Sequence, residues 1–243
     1  MTRLYQNIPL APQTTIQLDA KASHHLARVL RAQVGDALVV FNGAGGEYPA
    51  VITHIDKKSV QVKLQDFSAR EVESHLQIQL AQGIARGEKM DFIVQKAVEL
   101  GVARITPLVT VRCNVRLKDE RADKRQQHWQ AVITSACEQS GRNRLPTLDA
   151  VTDFRDWVSN IQADYKFVLS PHVDKKLALT TIPADSRIVL LIGSEGGLSD
   201  EEVAMAIEHG FDPLNLGQRI LRTETATIAA LAALQARFGD FCD

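Results

Sequence analysis

Cysteines are few in this chain, and they do not cluster. Cys113, Cys137 and Cys242 are far apart and odd in number, and they form neither a CxxC pair nor a Cys/His spacing typical of a metal site. The pattern therefore gives no support for a disulfide framework and predicts no bound metal. It favours reduced thiols in a cytoplasmic protein.

Long apolar runs and an excess of one charge are also lacking. No apolar stretch reaches the roughly 18 residues of a membrane span, and residues 1–7 lack the apolar segment of a secretory signal. We therefore expect a cytoplasmic protein with no membrane partner. The formal net charge of −1 gives the whole chain no electrostatic signature of nucleic-acid binding.

The charges are nevertheless unevenly distributed along the chain. Residues 1–150 contain 20 Lys and Arg against 15 Asp and Glu, whereas residues 151–243 contain 8 against 14. A phosphate-rich partner on the basic side would explain this asymmetry, and so would an ordinary fluctuation of surface charge. Charge alone leaves both explanations open.

A normal globular composition, with 45% hydrophobic and 23% charged residues, provides material for a core. Residues 1–70 read as a small β-barrel or β-sandwich with one helix. Its predicted strands cover residues 36–41, 48–55 and 59–64. One helix is predicted over residues 24–31, with Leu26, Val29 and Leu30 on one side.

A polar segment at residues 68–74 predicts a linker to a second domain, residues 71–243. Beyond it, short apolar runs alternate with longer runs of helical periodicity. The predicted strands cover residues 76–81, 104–109, 165–169, 187–192 and 214–216. The predicted helices cover residues 89–100, 121–140, 200–209 and 224–238. This alternation predicts an α/β domain with a mostly parallel sheet.

Two glycine-marked turns stand out in the second domain, at residues 192–198 and 216–226. Each follows a predicted strand and precedes a predicted helix. Because the carboxyl ends of parallel strands share one edge of a sheet, the two turns are expected to form one ligand pocket lined by main chain. Neither turn is GxGxxG or a P-loop, which disfavours a nicotinamide or ATP enzyme. Glycines used only for packing are the alternative reading of either turn alone.

Charged residues follow the second turn: Arg219, Arg222 and Glu224. An arginine there could hold a phosphate or a carboxylate, but a solvated helix start would have the same composition. The basic residues at 138–144 and 112–125 have the same two readings, RNA contact or an ordinary charged surface. The histidines are scattered and support no hydrolase triad.

With these segments in view, the sequence resembles the SPOUT-class methyltransferases, and specifically the bacterial 16S ribosomal RNA uracil-N3 methyltransferases of the RsmE family. The resemblance runs the full length. Its most specific motifs are IGSEGG at residues 192–197 and LGQRILRTETA at 216–226, supported by RLY at 3–5, HLARVLR at 25–31, RGEKMD at 86–91, QKAVELG at 95–101 and EQSGR at 138–142. The chain departs from the family at Ser194, where the family usually has proline.

The resemblance implies a PUA-like RNA-binding domain at residues 1–70 and a SPOUT domain at residues 71–243. It also implies a deep trefoil knot within about residues 165–235, a homodimer, and S-adenosylmethionine as methyl donor. The implied donor-binding residues are Leu169, Ile192, Gly193, Glu195, Gly196, Gly197, Leu216, Gly217, Ile220 and Leu221.

The implied acceptor is N3 of one uridine in the decoding region of 16S ribosomal RNA within the small subunit. That nitrogen must lose a proton, so the reaction needs a base or a cation that stabilises the uracil anion. Arg222 is expected to stabilise the anion and Glu224 to act as the base. The expected RNA contacts are Arg3, His25, Arg28, Arg31, Arg86, Arg112 and Arg142. A ribose 2′-O-methyltransferase and a non-enzymatic RNA-binding assembly factor are the two alternative functions.

Overall fold

The computed structural model describes residues 1–56, 59–113, 119–170 and 181–241. The chain divides into two compact units, one of Met1–Glu73 with Cys137–Leu145 and one of Ser74–Ala136 with Pro146–Asp243. The division after residue 73 lies close to the boundary expected after residue 70. Residues 137–145, which the sequence assigned to the second domain, group with the first unit.

The first unit is built on a five-stranded sheet. Its strands are β1 (Thr2–Tyr5), β2 (Thr15–Gln17), β3 (Ala37–Phe41), β4 (Tyr48–Ile55) and β5 (Val60–Leu64). The strand order is β1-β3-β4-β5-β2, with β1 parallel to β3 and the other pairs antiparallel. Leu38, Val40, Ile52 and Val62 form much of its buried core. The three predicted strands are confirmed, and β1 and β2 were missed.

The predicted helix in this unit begins earlier and changes type. Helix α1 (Ala20–His24) starts at Asp19, whose side chain accepts from Ala22 N–H, and a π-helical turn continues over His25–Leu30. Of the three apolar residues expected on one side of this helix, Leu26 is buried, whereas Val29 and Leu30 are exposed.

The second unit contains a seven-stranded parallel sheet. Its strands are β6 (Gln77–Gly83), β7 (Arg104–Val109), β8 (Thr147–Leu148), β9 (Thr152–Asp153), β10 (Tyr165–Leu169), β11 (Arg187–Ile192) and β12 (Asp212–Leu214). The order is β12-β10-β11-β6-β7-β8, with β9 also paired to β7, and each pair is parallel. The predicted α/β architecture with a mostly parallel sheet is confirmed.

The helices of the second unit are α2 (Glu88–Glu99), α3 (Asp119–Ser140), α4 (Phe154–Asn160), α5 (Asp200–Glu208) and α6 (Thr223–Phe238), of which α3 ends in the segment that groups with the first unit. The apolar residues spaced at helical intervals along α2 are all fully buried. Ser199 and Glu202 form a reciprocal capping box at the start of α5. Ile207 of this helix is 45% exposed, whereas Phe211 just beyond it is buried.

Among the residues that the structure describes, no helix has both the length and the apolar character needed to cross a bilayer.

Candidate active site

One cavity of about 280 Å³ lies where three neighbouring strands of the second unit end. Leu169, Ile192 and Leu214 are the last residues of β10, β11 and β12, and all three line it. Parallel strands bring their carboxyl ends to the same edge, which explains why these residues meet. Residues from both glycine turns also line the cavity, so the two turns share one pocket as the sequence predicts.

The first turn, residues 193–197, is closed tightly on itself. A Cβ on Gly193 would lie 2.5 Å from the carbonyl carbon of Gly197 and 2.6 Å from Leu198 N. Gly197 has a φ of 71°, a backbone conformation that residues other than glycine rarely adopt. Its N–H donates to Ser194 O at 2.9 Å. The main chain of this turn therefore forms a compact wall of the cavity, with its glycines required by space and by backbone conformation.

Arg112, predicted as an RNA contact, lies against this turn and lines the cavity. Its Nη1 donates to Gly196 O at 3.2 Å, and its own carbonyl accepts from the Ser194 hydroxyl at 3.2 Å. Ser194 thus makes a side-chain hydrogen bond that a proline at this position would lack. Whether Arg112 contacts RNA remains a prediction.

Glu195 lies on the outer side of the same turn and is anchored to the loop before α2. Its Oε1 accepts from Arg86 N–H at 2.9 Å and lies 3.6 Å from Lys89 Nζ. Partial burial raises the pKa of Glu195, but these hydrogen bonds and the lysine charge outweigh it, so the pKa is lowered overall. The carboxylate therefore fastens the turn in its ionised form. It is one of the cavity-lining residues, as is Gly196.

The second turn is more open. Leu216, Ile220 and Leu221 line the cavity, and Ile220 is 84% exposed. Gly217 does not itself line the cavity, but it has a φ of 109°, and its N–H donates to Asn215 Oδ1 at 2.8 Å. Gly217 thus contributes the backbone bend that brings its neighbours to the pocket.

A buried glutamine that the sequence alone does not single out lies behind the first turn. Gln82, in β6, is fully buried, and its Nε2 lies 3.0 Å from both Gly193 O and Thr223 Oγ1. Thr223 opens helix α6 and its hydroxyl also donates to Gly193 O, at 2.7 Å. The sequence gives little signal for it, because β6 contains two further glutamines, Gln77 and Gln79. Full burial distinguishes Gln82, since a buried amide requires polar partners.

The two predicted catalytic residues stand at the start of α6, beside the cavity but outside its lining. Arg222 is the N-cap residue and is exposed, whereas Glu224 is half-buried in the first turn. Glu224 Oε2 is buried and has no hydrogen-bond partner among the residues described. Their neighbours Thr223 and Ala226 line the cavity. The helix start therefore presents a cation and a carboxylate next to the pocket.

The predicted RNA contacts fall into two groups. Arg3 donates to Glu47 at 2.6 Å and to Asn143 at 2.5 Å, and Arg142 is buried and paired with Glu73. Both guanidiniums are paired within the first unit, and their contact with RNA stays a prediction. The exposed candidates are His25, Arg28 and Arg31 in the first unit and Arg86 and Arg112 in the second.

Comparison with known proteins places this chain in a family. An RNA methyltransferase domain matches residues 72–235, and an RNA methyltransferase PUA domain matches residues 18–65. Ribosomal RNA small subunit methyltransferase E of Buchnera aphidicola (Schizaphis graminum) is 38% identical over 98% of this chain and 97% of its own. The chain belongs to the small subunit methyltransferase E family. The relative from Bacillus subtilis is 30% identical over 94% of this chain and 92% of its own.

Solved structures of similar proteins agree with this assignment. The family member from Neisseria gonorrhoeae, bound to S-adenosylmethionine, matches with a TM-score of 0.92 and 37% identity over 99% of both chains. A methyltransferase from Legionella pneumophila, in complex with the same cofactor, matches with a TM-score of 0.94 and 41% identity over 99% of both chains. The expected family, its PUA-like N-terminal domain and its α/β methyltransferase domain are confirmed, as are the enzyme class and methyl donor expected for that family.

Among the described residues, no group of three or more His, Cys, Asp or Glu side chains could hold a metal ion.

Proposed function

We propose that this chain transfers a methyl group from S-adenosylmethionine to N3 of one uridine in the decoding region of 16S ribosomal RNA. The observation that carries the proposal is the single cavity shared by both glycine turns. Two solved structures of similar proteins support the proposal, because they hold S-adenosylmethionine. Other relatives support it because they are named as small subunit ribosomal RNA methyltransferases. The N3 position rests on the resemblance of the motifs.

The cavity fits the proposed donor in size and in chemistry. Its volume of about 280 Å³ lies near the lower end of the range for small-molecule pockets, roughly 300–1,000 Å³. Its floor offers apolar side chains for a flat ring, including Leu169, Ile192 and Leu216. The turn at residues 193–197 offers polar main chain at close approach, because a Cβ at Gly193 is excluded by space. When bound there, the donor would supply an already activated methyl group on its sulfonium.

The chain's own residues would then position the acceptor and remove its proton. Uracil N3 carries a proton and is hidden by base pairing, so the target base must be unpaired or extruded to reach the pocket. Arg222, exposed at the N-cap of α6, would stabilise the uracil anion. Glu224 is the candidate base, since one of its oxygens is buried without a partner among the described side chains and is free to accept a proton.

The RNA would be held in part by exposed basic residues of the first unit. His25, Arg28 and Arg31 lie on or just after the π-helical turn. Such contacts fix the position of the nucleic acid through phosphates and carry little sequence information. The further features proposed from the family are a homodimer, a trefoil knot within about residues 165–235 and a cytoplasmic location. Residues 171–180 of that range lie outside the described residues.

Nucleoside mass spectrometry tests the reaction directly. Ribosomal RNA from cells that lack the protein should lose one 3-methyluridine, and the purified protein with S-adenosylmethionine should restore it on their small subunits. Restoration of a 2′-O-methylated nucleoside instead would refute the N3 assignment. Calorimetry that finds no binding of S-adenosylmethionine would favour an RNA-binding factor without catalysis. Light scattering that finds a monomer would contradict the dimer.

A further inference from the structure

The amide of Gln82 connects the first glycine turn to the start of helix α6. Its Nε2 lies 3.0 Å from Gly83 O, Gly193 O and Thr223 Oγ1, while its Oε1 accepts from Thr227 Oγ1 at 2.8 Å. All of these hydrogen bonds lie in buried surroundings, and Gln82 and Thr227 are completely shielded from solvent. One side chain therefore links the ends of two strands with the first two turns of a helix.

The peptide between Gly193 and Ser194 is fixed from two sides. Its carbonyl oxygen accepts from Gln82 Nε2 and, at 2.7 Å, from the hydroxyl of Thr223. On another side Gly83 packs against it so closely that a Cβ there would lie 2.5 Å from Ser194 N. Because a peptide is planar, holding its oxygen also fixes the orientation of the whole group. This peptide opens the turn that walls the cavity.

Gln82 itself is not among the residues that line the cavity, whereas Gly193 and Thr223 are. Its influence on a ligand must therefore pass through those two. Thr223 lies between Arg222 and Glu224, the proposed catalytic pair, so a shift of Thr223 relative to Gly193 would move that pair relative to the pocket. The Gln82 amide forms hydrogen bonds to both Gly193 and Thr223 and thereby fixes the distance between the first turn and the start of α6.

We propose that Gln82 is a positioning residue, which holds the Gly193 turn and the start of α6 in one fixed arrangement through Thr223 and Thr227. The proposal rests on the proposed function, because the arrangement matters for donor binding and for proton removal. An apolar replacement would leave the Thr227 hydroxyl with Thr223 O in place of Gln82 Oε1 and would remove one of two donors from Gly193 O. Buried polar groups that lose a partner are costly, so the arrangement should relax.

The test compares Gln82→Leu with Gln79→Leu. Gln79 is a matched control, because it lies on the same strand and its Nε2 donates to another threonine, Thr106, at 2.8 Å. Calorimetry should show binding of S-adenosylmethionine weakened by about tenfold or more in Gln82→Leu. Turnover on small subunits that lack the modification should fall further, with the KM for the subunit within about threefold of the unsubstituted protein. Gln79→Leu should change none of the three values by more than about twofold.

A second pair of variants serves if Gln82→Leu does not fold. Thr227→Val removes the hydroxyl that donates to Gln82 and should weaken donor binding and turnover by about threefold to tenfold. Thr227→Ser keeps the hydroxyl and should restore both to within about twofold. A folded Gln82→Leu with unchanged donor affinity and turnover would overturn the proposal, as would equal effects of valine and serine at Thr227. Failure of the unsubstituted protein to bind S-adenosylmethionine would instead overturn the proposed function.

Discussion

The two glycine turns follow β11 and β12, the strands on either side of β10, and line the same cavity, yet they are built differently. The first has buried residues at Gly193 and Ser194 and is held by Gln82, Arg112 and the anchor of Glu195. The second exposes residues 217–220 to solvent. The first is therefore shaped by the protein, whereas the second offers its surface to whatever enters the pocket. A glycine-marked turn after a strand thus does not by itself indicate how far the loop is preorganised.

The largest expected effect comes from adding a side chain to the tightly packed first turn. In Gly193→Ala the new methyl would lie 2.5–2.6 Å from the backbone of Gly197 and Leu198, which cannot give way as a flexible side chain would. We expect a loss of stability of about 1–3 kcal/mol and a loss of S-adenosylmethionine binding of at least about 100-fold. Chemical denaturation and calorimetry would measure both. Donor affinity within threefold of normal would show that the turn is not a wall of the donor site.

Removing the cation after the second turn should separate binding from chemistry. Arg222→Ala should lower turnover by about 100-fold, in the range that single charge-stabilising groups contribute, and leave S-adenosylmethionine affinity within a few-fold. Single-turnover kinetics and calorimetry would measure the two effects.

The matched control for Arg222 is Arg187→Ala, which removes an exposed arginine at the opposite end of β11 from the cavity. It should leave turnover unchanged. Unaltered turnover in Arg222→Ala would remove the proposed role of that arginine.

A methyl group at the second turn should have a smaller effect, because nothing lies within 4 Å of the position that a Cβ on Gly217 would occupy. The cost of Gly217→Ala comes from its φ of 109° alone, which we expect to destabilise the fold by roughly 1–2 kcal/mol. Donor affinity should fall by about tenfold as the neighbouring residues shift.

Gly35→Ala provides the control for this variant. Gly35 has a φ of 97° and equally open surroundings, but it belongs to the first unit. It should cost similar stability and leave donor affinity intact. A loss of affinity equal to that of Gly217→Ala would mean that global destabilisation, and not the local bend, explains the result.

The smallest expected effect is a pH-dependent change in stability from Glu195, which anchors the first turn. The pKa of Glu195 is lowered in the folded chain, so its ionised form stabilises the fold above the ordinary value of 4.5, and this contribution disappears as the pH falls through the lowered pKa. Glu195→Gln should therefore cost less than about 1 kcal/mol at pH 7, because the site is largely solvated. Denaturation at pH 7 and near pH 3 should show a difference that vanishes in acid. A difference that persists in acid would assign the effect to packing.

Much of the fold could be predicted because the spacing of apolar residues within each segment indicates whether it forms a helix or a strand. The helical spacing of Met90, Ile93 and Val94 and the apolar runs of β10 and β11 specify their elements without reference to the rest of the chain. Strands β1, β2, β8 and β9 were missed, since runs of two to four residues carry too little pattern. The last strand was expected at residues 214–216 and lies two residues earlier, at Asp212–Leu214. Short polar strands are defined by their partners, not by their own residues.

The site shows the same limit. The glycine turns at the strand ends predict the cavity. The buried ion pair of Arg142 with Glu73 and the hydrogen bonds of Gln82 could not be predicted, because they join residues far apart in sequence. An arginine next to a glycine at the end of a helix gives no sign of whether it faces water or a carboxylate 69 residues away. Long-range pairing of this kind has no local signature.

The return of residues 137–145 to the first unit has a consequence for synthesis of the chain. Arg3 needs Asn143, the Tyr5 N–H needs Glu138, and Glu73 needs Arg142. As the polypeptide leaves the ribosome, its amino-terminal sheet must wait for more than sixty further residues before these partners exist. The order of translation and the order of completion therefore differ, and a fragment ended at residue 73 would be an unfinished module with unpaired charges.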